Sequence, residues 1–429
     1  MKERVAIVGG VRTPLCKAGE ALRELEADDL GAFAVKELLA RTAFPAQRID
    51  EVILGNVAQP VGSANIARVV ALKAGLPLGI PACTVHRNCA SGMESITTAA
   101  TRILAGEADV ILAGGTESMS NIPLLYSKAA VELFAAMFKA KTAMAKLRVL
   151  LRFRLKHLAP IIGVNEGLTD PICSMNMGQT AEVLSREFHI TRAEQDAFAL
   201  QSHQRAAAAM KSGRFAEEIV PVPLPRAYDK FQTEDSGPRA NQTLEALAKL
   251  KPFFDRNTGT VTVGNACPIT DGAAALLVMR EGKAREFGVQ PLGYLRAYAY
   301  AGLEGRRMGL GPVYATAKLL RQSGLNLKDF SLVELNEAFA AQVIANERAF
   351  ASAEFARQHL GQDHAVGEIA RDILNVNGGA IALGHPVGTS GTRLVITILK
   401  ELRHRNKNLG LATLCIGGGQ GAALALEVA

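Results

Sequence analysis

Four segments carry side chains suited to acyl or proton transfer. The first is Val85-His86-Arg87-Asn88-Cys89-Ala90-Ser91-Gly92, where Cys89 enters a predicted helix. A thiol at a helix N-terminus faces unpaired backbone N–H groups and the positive end of the dipole, which lower its pKa from about 8.5 and stabilise the thiolate. Taken alone, such a cysteine is more often inert core, so its company decides. The second segment, Gly378-Gly379-Ala380-Ile381-Ala382-Leu383-Gly384-His385-Pro386-Val387-Gly388, frames one histidine with glycines. They imply tight turns and close approach of backbone to a ligand, and His385 has the near-neutral pKa wanted of a general base. In the third, Leu411 to Ile416 reads as a strand delivering Cys415 into the turn Gly417-Gly418-Gly419. The turn's N–H groups offer an oxyanion hole, and Cys415 could exchange a proton with a carbanion or leaving group. A phosphate loop is the rival reading, without the lysine and Ser/Thr of a P-loop. The fourth, Asn336-Glu337-Ala338-Phe339-Ala340, sets an amide at a strand end. There it could hold a water, donate to an enolate oxygen, or serve only as a turn or cap.

The elements that must position these residues follow one order twice. Glu51 to Asn56 is a strand ending in Asn; Cys89 then opens a helix with apolar Met93, Ile96, Ala100, Ile103 and Leu104; the strand Asp109 to Ala113 follows and ends in Gly114-Gly115. Leu332 to Asn336 is again a strand ending in Asn; His385 opens a helix with Leu394, Ile396 and Leu399; Leu411 to Ile416 runs into three glycines. Two related α/β halves would each place a reactive residue just past a strand end, where open α/β sheets bind ligands. Between them, helices (179–188, 192–213) and a Pro/charge-rich stretch (221–238) read as a mainly helical insert. The expected units are 1–121 completed by about 255–290, the insert 122–254, and 291–429.

At 429 residues the chain suits two or three domains with sizeable cores. Six scattered cysteines without CxxC pairs or Cys/His ligand spacing point to reduced thiols and no structural zinc. No apolar run reaches the roughly 20 residues that span a bilayer, the start reads as a strand rather than a signal peptide, and the C-terminal residues are no peroxisomal address. The expected location is the cytoplasm. Net charge is 48 − 41 = +7, which by itself does not select nucleic acid over small anions. Lys128, Lys139, Lys141, Lys146, Arg148, Arg152, Arg154 and Lys156 stand against Glu132 alone. That stretch reads as a solvated face, a cradle for phosphates, or an anionic membrane or partner surface.

The four segments, in this order, resemble the motifs of the thiolase family over nearly the whole chain. Arg12-Thr13-Pro14, Gly114 to Met119, Met177-Gly178 and Gly259 to Thr262 resemble family segments too. The insert, with Ala246 and Lys249-Leu250-Lys251-Pro252, is most similar to the β subunit of the fatty-acid-oxidation trifunctional complex. Those subunits tend to carry His where this chain has Asn336. The resemblance implies a thiolase-like α/β fold of layered sheets and helices. It implies CoA-dependent cleavage of a 3-ketoacyl-CoA, with Cys89 as nucleophile, His385 as base and Cys415 as second acid/base. One oxyanion hole would come from His385 with a water on Asn336, the other from the N–H groups of Cys89 and Gly417. CoA and acyl-CoA enter as substrates, with no metal and no permanently bound cofactor. Implied partners are a second or further copies of the chain and a hydratase/dehydrogenase subunit. Where many thiolases have a serine contacting the pantetheine arm, this chain reads Asn265-Ala266-Cys267-Pro268, and a histidine often found before Met177 is Asn176. Met177 and Cys267 are thus candidate CoA contacts, while Met308 and residues 144–158 are expected along the acyl pocket. Condensation of two acetyl-CoA by the same residues, and a non-catalytic lipid-binding or scaffold subunit, are the alternatives.

Overall fold

Long runs of Val, Ile, Leu and Ala are buried on both faces of their strands, as in a sheet covered on both sides. In the computed structural model, which describes residues 3–428, ten strands form one mixed sheet. Met1, Lys2 and Ala429, at the ends of the first and last expected units, lie outside the described residues. The strands are β1 (Val5–Arg12), β2 (Cys16–Lys17), β3 (Glu51–Gly55), β4 (Ala82–Val85), β5 (Val110–Ser118), β6 (Thr270–Arg280), β7 (Gly293–Gly302), β8 (Leu332–Leu335), β9 (Leu409–Ile416) and β10 (Gln420–Glu427). Their order is β8-β9-β10-β7-β1-β6-β5-β3-β4, with β2 on β6.

One pairing pattern occurs twice. β3 lies parallel to β5, which is antiparallel to β6, which is antiparallel to β1. Likewise β8 lies parallel to β9, which is antiparallel to β10, which is antiparallel to β7. The halves join where β1 and β7 run antiparallel, with Val5 opposite Leu295 and Ile7 opposite Gly293.

The helices that matter here are α1 (Ala27–Thr42), α2 (Ser91–Ala105), α3 (Lys128–Lys139), α4 (Ala143–Leu150), α5 (Met177–Glu187), α6 (Arg192–Lys211), α7 (Gly311–Ser323), α8 (Ala340–Ala351) and α9 (Val387–His404). α1 packs on the outer face of the first half, and α7 and α8 on that of the second. α2 and α9 share the central core with the inner faces of both halves. Met93, Ile96, Ala100 and Ile103 of α2 are buried there, but Leu104 is 64% exposed, one residue round the helix from Ile103.

The first turns of α2 and α9 meet across glycines. A Cβ on Gly92 would lie 2.7 Å from the Thr392 backbone N, one on Gly391 2.5 Å from the Met93 N, and one on Gly115 2.0 Å from the Gly388 O. Thr392 Oγ1 adds a hydrogen bond to the Gly92 carbonyl (3.1 Å). β5 therefore continues through Gly114-Gly115 instead of ending there: the glycines admit α9 against the strand.

Residues 122–254 hold α3 to α6 and three two-residue ribbons, Leu124–Leu125 with Ile161–Ile162, Thr169–Asp170 with Met175–Asn176, and Val222–Pro223 with Phe231–Gln232. Arg12 on β1 is fully buried against this region, donating to Glu218 (2.9 Å) and to both oxygens of Asp235 (2.6 and 2.9 Å). Among the described residues no helix is long and apolar enough to cross a membrane.

Candidate functional site

Cys89 occupies the turn between β4 and α2. The turn is set by Asn88, whose φ of +44° suits Asn better than most residues and whose Nδ2 donates to the Gly417 carbonyl at 2.7 Å. Ser91 Oγ completes it, accepting from Arg87 N (2.9 Å) and donating to the Asn88 O (2.7 Å). The turn that holds Cys89 is thus tied to the glycine turn of the other half. The N–H groups of Gly417 and of Cys89 itself face the Cys89 sulfur.

The charge state of that sulfur differs from the sequence expectation. Burial pushes the Cys89 thiol up, Gly417 N–H and its own N–H pull it partly back, and the nearby Glu117 carboxylate pushes it up again. Burial outweighs the helix terminus, so the resting residue is a thiol.

His385 lies between the short helix Ala380–Leu383 and α9. Gly384 before it has φ +102°, and a Cβ there would sit 2.2 Å from Thr270 Oγ1, to which His385 N donates at 3.2 Å. The ring is fixed by Ser390, whose Oγ is 2.5 Å from Nδ1 and donates to the Pro386 carbonyl at 3.0 Å. A hydroxyl has one hydrogen; with it directed to Pro386, Nδ1–H is the donor and Nε2 keeps its lone pair. Nε2 is buried without a hydrogen-bond partner. Burial, then the Arg393 charge, holds the imidazole down to about 4. The near-neutral value expected from the sequence is corrected: the imidazole is neutral well below pH 7.

Cys415, next to last in β9, is fully buried in an apolar cluster with Met308 and Phe339, against which Met177 and Cys267 pack. Burial first, then Cys89 and Cys267, push its thiol well above the ordinary range, which keeps it protonated. Cys267 is likewise pushed up to about 12, by burial and then Cys89. Gly417 follows Cys415, in a turn where Gly418 and Gly419 have φ of +86° and +78°. Asn336 stands at the end of β8 beside β9, its N donating to the Thr413 O at 3.0 Å. Its Oδ1 and Nδ2 are both buried without partners. Buried polar atoms are normally satisfied, so these and His385 Nε2 mark where a reacting group or water would be received.

A cavity of about 410 Å³ opens at Cys89, Gly417 and Met177. Its other walls include Val57 to Gln59, Met119, Ile122, Pro123, Leu125, Gly163, Val164, Gly167 to Pro171 and Val387. Met308 and residues 144–158 are not among them: Met308 is buried by Cys415, while Met144, Leu147, Leu150 and Leu155 are exposed. Apolar periodicity shows that a helix has an apolar face, not what that face meets.

Sequence reasoning also passed over Glu117, which lies in the cavity wall fully buried. It accepts from Asn56 Nδ2 (3.0 Å), Val57 N (3.1 Å), Ala58 N (2.9 Å) and Gly388 N (2.7 Å), and burial pushes it up to about 7. It holds the first turn of α9 beside Cys89. A lone carboxylate within a glycine-rich strand was its signal. Asn176 has a different task, capping α5 by accepting from Gln179 N (2.9 Å) while Gln179 Oε1 accepts from Asn176 N (2.9 Å).

The chain matches the family description "Thiolase, N-terminal domain" over residues 5–282 and "Thiolase, C-terminal domain" over residues 289–428. It is 42% identical over 427 residues to a 3-ketoacyl-CoA thiolase of Yersinia enterocolitica, covering 99% of this chain and 97% of that one. The same identity and coverage hold for a 3-ketoacyl-CoA thiolase of Aeromonas salmonicida. Among solved structures, the Bacillus anthracis acetyl-CoA acetyltransferase aligns with TM-score 0.87 at 37% identity, covering 99% of each chain. Human mitochondrial 3-ketoacyl-CoA thiolase in complex with CoA aligns with TM-score 0.85 at 36% identity, covering 100% of this chain and 98% of that one.

Proposed function

The chain belongs to the thiolase family, and from that premise we propose that it is a 3-ketoacyl-CoA thiolase, an acyltransferase of fatty-acid β-oxidation, whose covalent intermediate forms on Cys89. The observation that carries the site assignment is the glycine crossing of α2 and α9, which supports the nucleophile of one half and the base of the other working together. His385 Nε2 takes the Cys89 proton as the sulfur attacks C3 of the substrate. The C2–C3 bond breaks, the acyl group stays on Cys89, and Cys415 protonates C2 of the departing acetyl-CoA enolate. The Cys415 thiolate then takes the proton of incoming CoA, CoA sulfur collects the acyl group, and His385 returns its proton to Cys89.

Gly417 N–H and Cys89 N–H are assigned to the C3 oxyanion, an assignment supported by their facing the Cys89 sulfur. Protonated His385 and a water on Asn336 are assigned to the enolate oxygen, supported by their unpartnered buried atoms. Met177, Cys267 and Met308 are assigned to the substrate side of Cys415, supported by the cluster they form around it. The division at 1–121 with 255–290, 122–254 and 291–429 is supported by β6, which pairs β5 and β1 of the first half after the insert.

Loss of the acetoacetyl-CoA enolate absorbance on adding CoA tests the reaction, with Cys89→Ser as control; no CoA-dependent cleavage by the wild type would sink it. Condensation of two acetyl-CoA, the same steps reversed, is the second reading, favoured by the likeness to the Bacillus anthracis acetyltransferase. A non-catalytic scaffold is disfavoured by the presence together of Cys89, His385 and Cys415.

A homodimer or homotetramer is supported by β4, which ends the sheet order with one neighbour among the described residues. Exposed Phe134, Phe138, Leu147, Leu150 and Leu151 on α3, α4 and the residue after it, interleaved with Lys139, Lys146 and Arg148, support contact of 128–157 with an anionic membrane surface. The same face could seat a hydratase/dehydrogenase subunit. Sedimentation with phosphatidylglycerol vesicles but not phosphatidylcholine vesicles would favour the membrane.

A further inference from the structure

The Gly417 N–H sits on the most permissive backbone in the site. Three consecutive glycines, Gly417 to Gly419, join β9 to β10, and glycine fixes neither φ nor ψ by its own sterics. Most of the turn is held from outside. Ile416 and Gln420 pair at its base, and the Gly419 carbonyl accepts from Leu303 N at 2.8 Å. Gln420 Oε1 also accepts from Arg87 Nη1 (3.4 Å), whose guanidinium lies over the Tyr300 ring at 4.1 Å. The middle of the turn has a single tie. Among the described residues the Gly417 carbonyl accepts from Asn88 Nδ2 alone, at 2.7 Å. A Cβ on Gly418, whose φ is +86°, would meet only that same nitrogen, at 3.7 Å.

Asn88 is not free to follow the glycines. Its carbonyl accepts from Ser91 N (3.0 Å) and Ser91 Oγ (2.7 Å), and its N–H donates to His86 Nδ1 (3.4 Å). The amide is therefore a fixed anchor, one residue before Cys89 in the first half. It reaches the residue of the second half whose N–H faces the Cys89 sulfur. The position needs both a φ of +44° and a donor for a carbonyl. Of Gly, Asn and Asp, which suit a positive φ, only Asn supplies that donor.

We propose that Asn88 is a positioning residue for the oxyanion site: its amide fixes the peptide after Gly417, and with it the spacing of two N–H donors, those of Cys89 and Gly417, that come from opposite halves of the chain. The proposal rests on the thiolase reading and deepens it. The two donors must point at the place where the C3 oxyanion forms, and one such preorganised donor is worth about a hundredfold to a thousandfold in rate. A displacement of about 1 Å forfeits on the order of a hundredfold. Asn88 Nδ2 donates to the protein rather than to substrate, so its loss falls on kcat and not on KM.

The test uses the full chain with acetoacetyl-CoA and CoA. Asn88→Gly keeps the backbone conformation and removes the amide; Asn88→Asp keeps the size and turns an acceptor toward the Gly417 carbonyl. Each is expected to lower kcat about tenfold to a hundredfold, with KM for both substrates within about twofold of wild type. Urea unfolding midpoints show that the variants fold, and Asn88→Asp decides on kcat and KM should Asn88→Gly not fold. A second readout separates the oxyanion site from the sulfur. Alkylation of Cys89 by iodoacetamide builds no oxyanion, whereas acylation from acetyl-CoA, followed as added mass on the intact protein, does. In Asn88→Gly acylation is expected to slow at least about fivefold more than alkylation. Wild-type kcat in a folded variant overturns the proposal, and so does a raised KM with kcat unchanged, which would make Asn88 a substrate contact. Equal slowing of acylation and alkylation overturns it too, by placing the effect on the sulfur alone. If the wild type cleaves acetoacetyl-CoA with dependence on Cys89 while any of these three results is found, only the role of Asn88 fails. If the wild type cleaves nothing, the thiolase reading fails with it.

Discussion

At the scale of the residue, the reactive groups are held in neutral forms. Cys89 is pushed up as a thiol while His385 is held down to about 4, so full proton transfer between them at rest is uphill. In the proposed mechanism, transfer therefore accompanies attack, when the N–H groups of Gly417 and Cys89 would meet the new oxyanion. A base is lost when protonated, and a lowered pKa moves that loss to lower pH. The acid limb of kcat/KM due to His385 is therefore expected near pH 4 rather than at the ordinary value of about 6.5. A His385-dependent limb at 6.5 in a pH–rate profile would contradict this. Ser390 is a positioning residue: Ser390→Ala frees Nδ1, and kcat is expected to fall about tenfold to a hundredfold with KM little changed and the acid limb displaced. Cys415→Ala is expected to acylate Cys89 from an acyl-CoA, seen as added mass on the intact protein, yet to fail in C–C cleavage. Glycine-framed His385 and Cys415 were legible in the sequence because those glycines are demanded by backbone contacts. Ser390 and the two pKa values were not, since both depend on what packs around the ring and the sulfur.

The two central helices are where small residues decide catalysis. α2 and α9 approach each other this closely only because Gly92 and Gly391 lack side chains. Gly92→Ala would place a Cβ 2.7 Å from the Thr392 backbone N, and backbone cannot swing aside as a flexible side chain can. The expected outcome is about 1–3 kcal/mol of lost stability in urea unfolding. The accompanying loss of kcat is expected to be about a hundredfold, since Cys89 and His385 are carried apart. A variant with wild-type kcat would show that the crossing does not set their spacing. The strands after 51, 332 and 411 and the helix starts near Cys89 and His385 were readable from apolar runs and glycine punctuation. The continuation of β5 through Gly114-Gly115 was not, because two glycines read as a turn unless the partner backbone is known. The insert misled for a related reason: Met144, Leu147, Leu150, Leu151, Leu155 and Leu158 face outward, whereas Gly163, Val164 and Gly167 to Pro171 line the cavity.

For the molecule as a whole, the insert is fastened to the first half through Arg12, buried between Glu218 and Asp235. Arg12→Leu strands two buried carboxylates, and about 3–5 kcal/mol of stability is expected to go, measured as a lower urea midpoint. A loss below about 1 kcal/mol would place the fastening elsewhere. The repeat of pairing patterns was readable in outline from the two Asn-ended strands, but the antiparallel seam of β1 on β7 was not, since nothing local in either strand names its partner. That doubled plan has a consequence during synthesis. The ribosome releases Cys89 early and His385, Cys415 and Gly417 near the end, and the contact that joins their helices spans 300 residues. Until that late stretch emerges, the nascent chain has neither the base nor the second thiol of the site. On the proposed mechanism, a product truncated before His385 therefore carries Cys89 without its assigned base, and the catalysed reaction waits for the last strands.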